Sequence, residues 1–259
     1  MCEENIRIEN YFNLNDYKKE NGIYYQESLS LETIIFHYLK LEHLFNILSR
    51  KCFRFSNSKS FADLCEKGKK SDKRNYFMLA PCTTDNEIQN KNDQYQKEMK
   101  EKIKNSYCFC ISSWSQDIHY LNGTRKSLDE DYLMWKVYAG SGVGVRIKTS
   151  LGDLINSIIN PQCDIIVNKI KYTKEAPNYN VNDAVFRKNM YYEKEQEIRL
   201  CAMCMDNELL LNVDTTKLIH EVLLSPFISD DYSSFIIKSL EDRFEQLKGK
   251  IKKSKILEY

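Results

Sequence analysis

The residues most able to do chemistry in this chain are the glutamates of residues 193–199, which read EKEQEIR. On a β-strand side chains alternate, so Glu195 and Glu197 would face the same way. Like charges on one face repel, and a purely structural strand gains little from that arrangement. Paired carboxylates can instead bind ribose hydroxyls, stabilise a developing cation or share a proton. The alternative is a solvated strand edge whose glutamates pair with Lys188, Lys194 or Arg199.

Two apolar strands earlier in the chain carry polar groups. His37 and Tyr38 end one run, where they could meet a ligand, although a core histidine bonded to a backbone carbonyl is the plainer interpretation. Ser112 and Ser113 close another run, followed by Trp114. Their hydroxyls could orient a nucleotide and the indole could stack on a ring. The same residues could equally form local bonds to the backbone.

The cysteine pattern does not favour a metal site. Cys108 and Cys110 form one close pair, and Cys201 and Cys204 form another. Both pairs lie in apolar strands and not in the turned knuckles that aim two thiolates at one zinc ion. We therefore expect buried thiols and no bound metal.

Composition limits the class of protein. The 259 residues carry 38 Lys and Arg against 37 Asp and Glu, so the basic excess of a dedicated DNA-binding protein is missing. Apolar runs are far shorter than the roughly 20 residues of a membrane span. The polar N-terminus lacks the features of a secretory signal, and nine scattered cysteines suggest reduced thiols. These features predict a cytoplasmic protein with no membrane partner.

The order of elements predicts an α+β fold, with twisted mixed or antiparallel sheets and flanking helices. Residues 1–30 are interpreted as an N-terminal extension, and residues 31–259 as a single α+β domain with a polar insertion near 84–105. Strands are expected at residues 34–38, 52–56, 107–114, 143–147, 163–172, 195–204, 219–224 and 254–258. Helices are expected at residues 41–48, 132–139, 181–192 and 230–248.

Several segments together resemble a known bacterial family. In order they are His37-Tyr38, the sequences FRFS (53–56), FADLCE (61–66) and CISSWS (110–115), Met-Trp-x-x-Tyr-Ala (134–139), GVGV (142–145), Lys171-Tyr172, Glu-x-Glu-x-Arg (195–199), and the strand at residues 219–226 with the helix after it. From about residue 34 to the C-terminus, the chain resembles the bacterial family known as domain of unknown function 2971. It departs from that pattern at Leu64 and Cys65, and at Tyr191-Tyr192.

The layout of that family is in turn similar to the ADP-ribosyltransferase superfamily, which binds NAD between a first-strand His or Arg, a Ser-bearing motif and a late Glu. The resemblance implies that His37 takes the first position, Ser112 or Ser113 the second, and Glu197 the third, with Glu195 as the upstream acid. Tyr38 and Trp114 would adjoin the nucleotide. Arg54 could face its pyrophosphate, since a guanidinium fork suits phosphate.

Three functions follow as hypotheses. The first is an NAD-dependent ADP-ribosyltransferase or NAD glycohydrolase in bacterial stress or phage defence, acting on a protein, a nucleic acid or water. The second is a non-catalytic module that binds a nucleotide or a partner, with Glu197 held by Arg199 or a lysine. The third is a metal-dependent nuclease that uses Asp164, Glu195 and Glu197.

Overall fold

The structure is a computed structural model that describes residues 12–57, 109–116, 118–121, 124–127, 130–139, 142–174, 185–204 and 208–257. The strands of these ranges are β1 (Tyr17–Glu20), β2 (Ile23–Gln26), β3 (Ile34–Lys40), β4 (Cys52–Asn57), β5 (Phe109–Ser115), β6 (Ile118–Leu121), β7 (Thr124–Ser127), β8 (Gly144–Ser150), β9 (Ile165–Lys169), β10 (Lys171–Thr173), β11 (Arg187–Asn189), β12 (Glu197–Met203), β13 (Glu208–Asn212), β14 (Glu221–Leu224) and β15 (Ile251–Lys253).

The helices of the same ranges are mostly short. They are α1 (Leu41–Arg50), α2 (Tyr132–Met134), which continues as one π-helical stretch (Trp135–Ala139), α3 (Leu151–Ser157), α4 (Thr215–Leu218) and α5 (Asp230–Arg243). Two 3₁₀-helices span Met190–Glu195 and Glu245–Leu247. Within the described ranges, no helix is long and apolar enough to cross a bilayer.

One large mixed sheet organises the chain. Its strand order is β1-β2-β9-β12-β5-β3-β8-β14-β15, and β4 joins β5 to β13. The pairs β2–β9 and β14–β15 are parallel, whereas the central neighbours are antiparallel. Because strand side chains alternate, Ile35 and Leu39 of β3 join the main core on one face. Phe36 and Tyr38 join a smaller cluster on the other face. The expected mixed sheet with flanking helices is therefore confirmed.

The sheet has a gap beside β5. β5 pairs with β12 along its whole length, but its opposite edge is shared by two strands. Cys110 and Ile111 pair with β4, and Ser115 pairs with Phe36 of β3. In the described ladders, residues 112–114 have no backbone partner on that edge. The strands β3 and β4 diverge there around α1, which connects them.

Several elements differ from the sequence expectations. No strand was expected in residues 1–30, yet β1 and β2 form a hairpin whose second strand pairs with β9. The helix expected at 181–192 is wrong in its described part, where β11 and a 3₁₀-helix lie instead. β11 has only three residues and forms against β10, so its own sequence carries little signal.

Boundaries also shift. The acidic strand was expected from Glu195 but begins at Glu197. The last long helix ends at Arg243, and the final strand lies at Ile251–Lys253, not at 254–258. β13 and α3 were not expected. The polar insertion near 84–105 lies outside the described residues.

Candidate functional site

The centre of the site is a buried ion pair on β12. Glu197 and Arg199 lie two residues apart on one face of the strand, and they are only 5% and 1% exposed. Arg199 Nε donates to Glu197 Oε1 at 2.6 Å, and Nη2 donates to Oε2 at 3.2 Å. Arg199 Nη1 also donates to the Val185 carbonyl at 2.9 Å. This fork holds the carboxylate in one orientation.

Glu195 reaches the same site by a turn and not by strand alternation. It is the last residue of a 3₁₀-helix, and Gln196 after it has a φ of 42°, in the left-handed region. Lys188 of β11 lies between the two carboxylates. Its Nζ donates to Glu195 Oε2 at 2.6 Å and to Glu197 Oε2 at 3.3 Å. The two glutamates lie close together as predicted, but the prediction that both lie on one strand is wrong, because Glu195 belongs to the preceding 3₁₀-helix.

Two tyrosines complete this cluster. Tyr138 lies in the π-helical stretch, a form of helix that is often found at functional sites, and its hydroxyl donates to the Glu195 carboxylate. The Tyr172 hydroxyl accepts the backbone N–H of Glu197 at 2.8 Å. Burial raises the pKa of both phenols, so both remain protonated.

The two glutamates have opposite electrostatics. Burial would raise the pKa of Glu197, but the charge and hydrogen bonds of Arg199, the charge of Lys188 and a bond from the Ser113 hydroxyl outweigh it and lower that pKa. Burial raises the pKa of Glu195, and Lys188 offsets this effect only in part. Glu197 is therefore the firmly ionised acid of the pair, and Glu195 is the acid that takes up a proton more readily.

His37 borders the gap between β3 and β5. Its Nδ1 lies 2.9 Å from the Ser113 carbonyl oxygen, which can only accept, so Nδ1 carries the proton. Burial lowers the pKa of His37 to about 4, and the bond to Ser113 offsets this only in part. The ring packs against Phe53 and Trp114, with centroid distances of 5.2 and 4.9 Å. His37 is thus a neutral side chain that bridges the gap in the sheet.

Strand alternation separates His37 from Glu197. Phe36 is opposite Ser115, and Ser115 is opposite Glu197, so these three side chains share a face. His37 follows Phe36, and its ring therefore points to the opposite face. The imidazole and the Glu197 carboxylate meet only through the gap, where the Ser113 hydroxyl bonds Glu197 and the Ser113 carbonyl bonds His37.

Two cavities flank this gap. The small cavity has a volume of about 110 Å³ and includes His37, Tyr38, Ser113, Glu195 and Glu197 in its lining. The large cavity, of about 430 Å³, lies in the wedge between β3, α1 and β4. His37 and Ser113 line both cavities, so the gap in the sheet is their common wall.

The other predicted site residues divide between the two cavities and the core. The Tyr38 hydroxyl accepts the backbone N–H of Asp131 at 3.3 Å, and Tyr38 lines the small cavity. Ser112 and Arg54 line the large cavity, where Arg54 Nε pairs with Glu208 Oε2 at 2.8 Å. Trp114 is 1% exposed, and its indole donates to the Ser112 hydroxyl at 3.1 Å.

The Trp114 ring therefore packs within the core. It stacks on Phe53 at 5.5 Å between centroids, and it is too buried to stack on a ligand ring in this conformation.

Sequence reasoning missed part of the site. Arg199 and Lys188 were expected only as partners of the glutamates, on a solvated strand or in a non-catalytic module, yet they are buried and organise both carboxylates. Tyr138 belongs to the Met-Trp-x-x-Tyr segment, and that motif was the signal that could have drawn attention to it. Tyr172 belongs to the Lys171-Tyr172 segment of the same resemblance, but only the tertiary fold brings its hydroxyl to the backbone N–H of Glu197.

The carboxylates are not arranged for a metal ion. Lys188 Nζ occupies the position between Glu195 and Glu197 where a cation would have to bind. The register of β9 against β12 places Asp164 opposite Met203, about 20 Å along the strand from Glu197. In the described parts of the chain, no group of three or more His, Cys, Asp or Glu residues is suited to hold a metal.

Comparison with known proteins adds no family assignment. No protein-family model matches the chain, and the curated proteins include no significant match.

Proposed function

We propose that the protein binds NAD where β3 and β5 part and cleaves the bond between nicotinamide and ribose, passing ADP-ribose to an acceptor or to water. The supporting observation is that three segments far apart in the sequence line one cavity. They contribute His37 and Tyr38, then Ser113, then Glu195 and Glu197. A carboxylate pair with a hydroxyl beside it can stabilise the positive charge that develops on the ribose in such chemistry.

The proposed reaction assigns different roles to the two acids. The C1′–N bond breaks and its electron pair leaves with nicotinamide, so positive charge develops on the ribose. Glu197, ionised and held by Arg199, stabilises that charge. The acceptor adds to C1′ with its own electron pair and gives up a proton. Glu195 can take that proton, because burial raises its pKa.

The large cavity would receive the remainder of the dinucleotide. Its volume lies within the range of about 300–1,000 Å³ that is usual for small-molecule sites, whereas the small cavity is well below that range. Arg50 and Arg54 line it and can interact with phosphate oxygens. Occupying both cavities would require the hydrogen bond between His37 and the Ser113 carbonyl, which closes the gap between them, to open.

One specific observation favours a second candidate, a binding module that does not cleave its ligand. Both oxygens of Glu197 already accept bonds from Arg199 and Lys188, so the carboxylate is neutralised before any ligand arrives. The small volume beside it points the same way. In this case the ligand would occupy the large cavity, and Glu197 would serve the structure.

A single set of measurements separates the two candidates. Wild type, Glu197→Gln and Glu245→Gln are incubated with NAD that is labelled in the nicotinamide, and binding is followed in parallel by calorimetry. Glu245 is exposed, pairs with Lys248 and lines neither cavity, so it serves as the control. Transfer or hydrolysis predicts release by wild type that falls at least about 100-fold in Glu197→Gln and persists in Glu245→Gln.

The other outcomes are equally informative. Binding of NAD without release by any variant would support the binding module and reject cleavage. Absence of both binding and release would reject cleavage and would exclude NAD as the ligand of a binding module. Thermal unfolding of each variant establishes that a lost activity is not a lost fold.

A further inference from the structure

Two cysteines lie where the β9–β12 ladder ends. The last paired residues are Ile165 and Ala202, which are opposite each other in an antiparallel register. Continuing that register by two positions places Cys163 opposite Cys204. Opposed residues of antiparallel strands have Cα atoms about 4.5–5.5 Å apart, within the range of about 4.4–6.8 Å that disulfides require.

Packing supports the same alignment independently. Cys163 is two residues from Ile165, and Cys204 is two residues from Ala202. Because strand side chains alternate, the extended register turns both cysteines toward the face on which Ile165 and Ala202 join the main core. Both are indeed half-buried and pack against that one cluster. Burial, then the proximity of Cys204 and Asp164, raises the pKa of Cys163 to about 11.

We propose that Cys163 and Cys204 form a site of reversible oxidation, in which a low-molecular-weight disulfide converts the two thiols to a cross-strand disulfide. One thiolate attacks the small disulfide, which releases one small thiol and leaves a mixed disulfide. The second cysteine then attacks the mixed disulfide and releases the other small thiol. The two protein thiol hydrogens end on the two small thiols, so the exchange balances without a further reactant.

The position of this pair gives the oxidation a structural effect. The closed loop would span about 40 residues, and such loops gain substantially from a cross-link because the unfolded chain loses freedom. Lys188, Glu195, Glu197 and Arg199 all lie within that loop. Oxidation would therefore tie the strand that carries the buried ion pair to β9, at the end of β12 remote from Glu197.

A second cysteine pair provides an internal control. Cys110 and Cys201 lie on neighbouring strands, one register position apart, because Cys110 is opposite Ala202 and Cys201 is opposite Ile111. They belong to different core clusters on opposite faces of the sheet. Their side chains point apart, so they cannot join without a rearrangement of the backbone.

The test uses the folded 259-residue chain and oxidised glutathione. After the exchange, remaining thiols are alkylated, the protein is digested without reductant, and linked peptides are identified by mass spectrometry. The expected result is a Cys163–Cys204 peptide that dithiothreitol removes, together with a rise in Tm of about 5–10 °C. Cys163→Ser and Cys204→Ser should each lose both effects, and Ala replaces Ser if either variant folds poorly.

The proposal is overturned if both cysteines remain open to alkylation, or if either keeps a stable glutathione adduct. It is also overturned if a Cys110–Cys201 peptide forms in place of the expected one. A Tm rise that persists in both single variants would assign the stabilisation to other cysteines. None of these outcomes depends on NAD.

Discussion

Arg199 and Glu197 form a two-point ion pair in the interior of the protein, with Arg199 Nε 2.6 Å from Glu197 Oε1. Both side chains are almost fully excluded from solvent. Burying two charges is costly, and the cost is recovered only while both partners are present. Replacing one member of the pair is therefore expected to lower the free energy of unfolding much more than replacing both.

Replacing the arginine alone should be severe. Arg199→Met is expected to lower the free energy of unfolding by about 3–5 kcal/mol, because the buried Glu197 carboxylate loses its two-point partner and keeps only Lys188 and the Ser113 hydroxyl. The double variant Glu197→Gln/Arg199→Met should lose less than Arg199→Met alone. Urea unfolding measures both. Arg54→Met is the matched control, since its pair with Glu208 is exposed and should contribute no more than about 1 kcal/mol.

If the double variant is the less stable of the two, the ion pair is not a self-contained unit. The energetic account of the buried cluster would then be wrong.

The two glutamates should give stability opposite dependences on pH. The pKa of Glu197 is lowered in the folded state, so its contribution is present above the unfolded pKa and is lost as the pH falls through the folded pKa. The pKa of Glu195 is raised, so its contribution is present below the unfolded pKa and is lost as the pH rises through the folded pKa.

Unfolding of wild type, Glu197→Gln and Glu195→Gln between pH about 3 and about 7 measures this difference. The stability of wild type relative to Glu197→Gln should increase with pH across that range, and relative to Glu195→Gln it should decrease. Curves that run in the same direction would mean that the roles assigned to the two acids are incorrect.

His37 should make the protein sensitive to mild acid. Its pKa falls from 6.5 in the unfolded chain to about 4 in the folded protein. Between these values the unfolded chain binds the extra proton, so stability should fall as the pH drops, by at most roughly 3 kcal/mol. His37→Asn retains an N–H donor for the Ser113 carbonyl but does not titrate, and it should lack this slope. An unchanged slope would place the acid sensitivity elsewhere.

A glycine fixes the packing beside Tyr138. A Cβ atom added at Gly144 would lie 2.1 Å from the Cβ of Ala139 and 3.0 Å from its Cα, so the first residue of β8 tolerates no side chain. Gly144→Ala should lower the free energy of unfolding by about 1–3 kcal/mol. At Gly142 the added atom would meet nothing within 4 Å, and Gly142→Ala should change stability by at most about 0.5 kcal/mol. Equal effects in denaturant unfolding would contradict the close packing.

The parts of the fold that could be predicted are those whose local pattern agrees with their surroundings. β3 is a short apolar run rich in residues that favour strands, and the apolar residues of α1 recur at helical spacing. The bounds of both elements were therefore predicted to within a few residues. β11 has no such pattern, because it exists by pairing with β10.

The candidate site shows the same division. Glu197 and Arg199 could be placed on one face by counting residues along a strand. Glu195 joins them because the backbone of Gln196 lies in the left-handed region. Residues other than glycine seldom adopt this backbone conformation, and nothing in the local sequence predicts it. Lys188 enters from another strand. Its place between the carboxylates depends on the tertiary fold, which spacing along the chain cannot reveal.

The pairing of distant strands also has a consequence for synthesis on the ribosome. The N-terminal hairpin pairs through β2 with β9, and β3 pairs with β5 and β8, all of which are encoded far downstream. A nascent chain that has emerged only as far as α1 therefore holds strands whose partners have not yet been translated. Such contacts close late and slowly, so the early strands would have to remain shielded from aggregation until most of the polypeptide has left the exit tunnel.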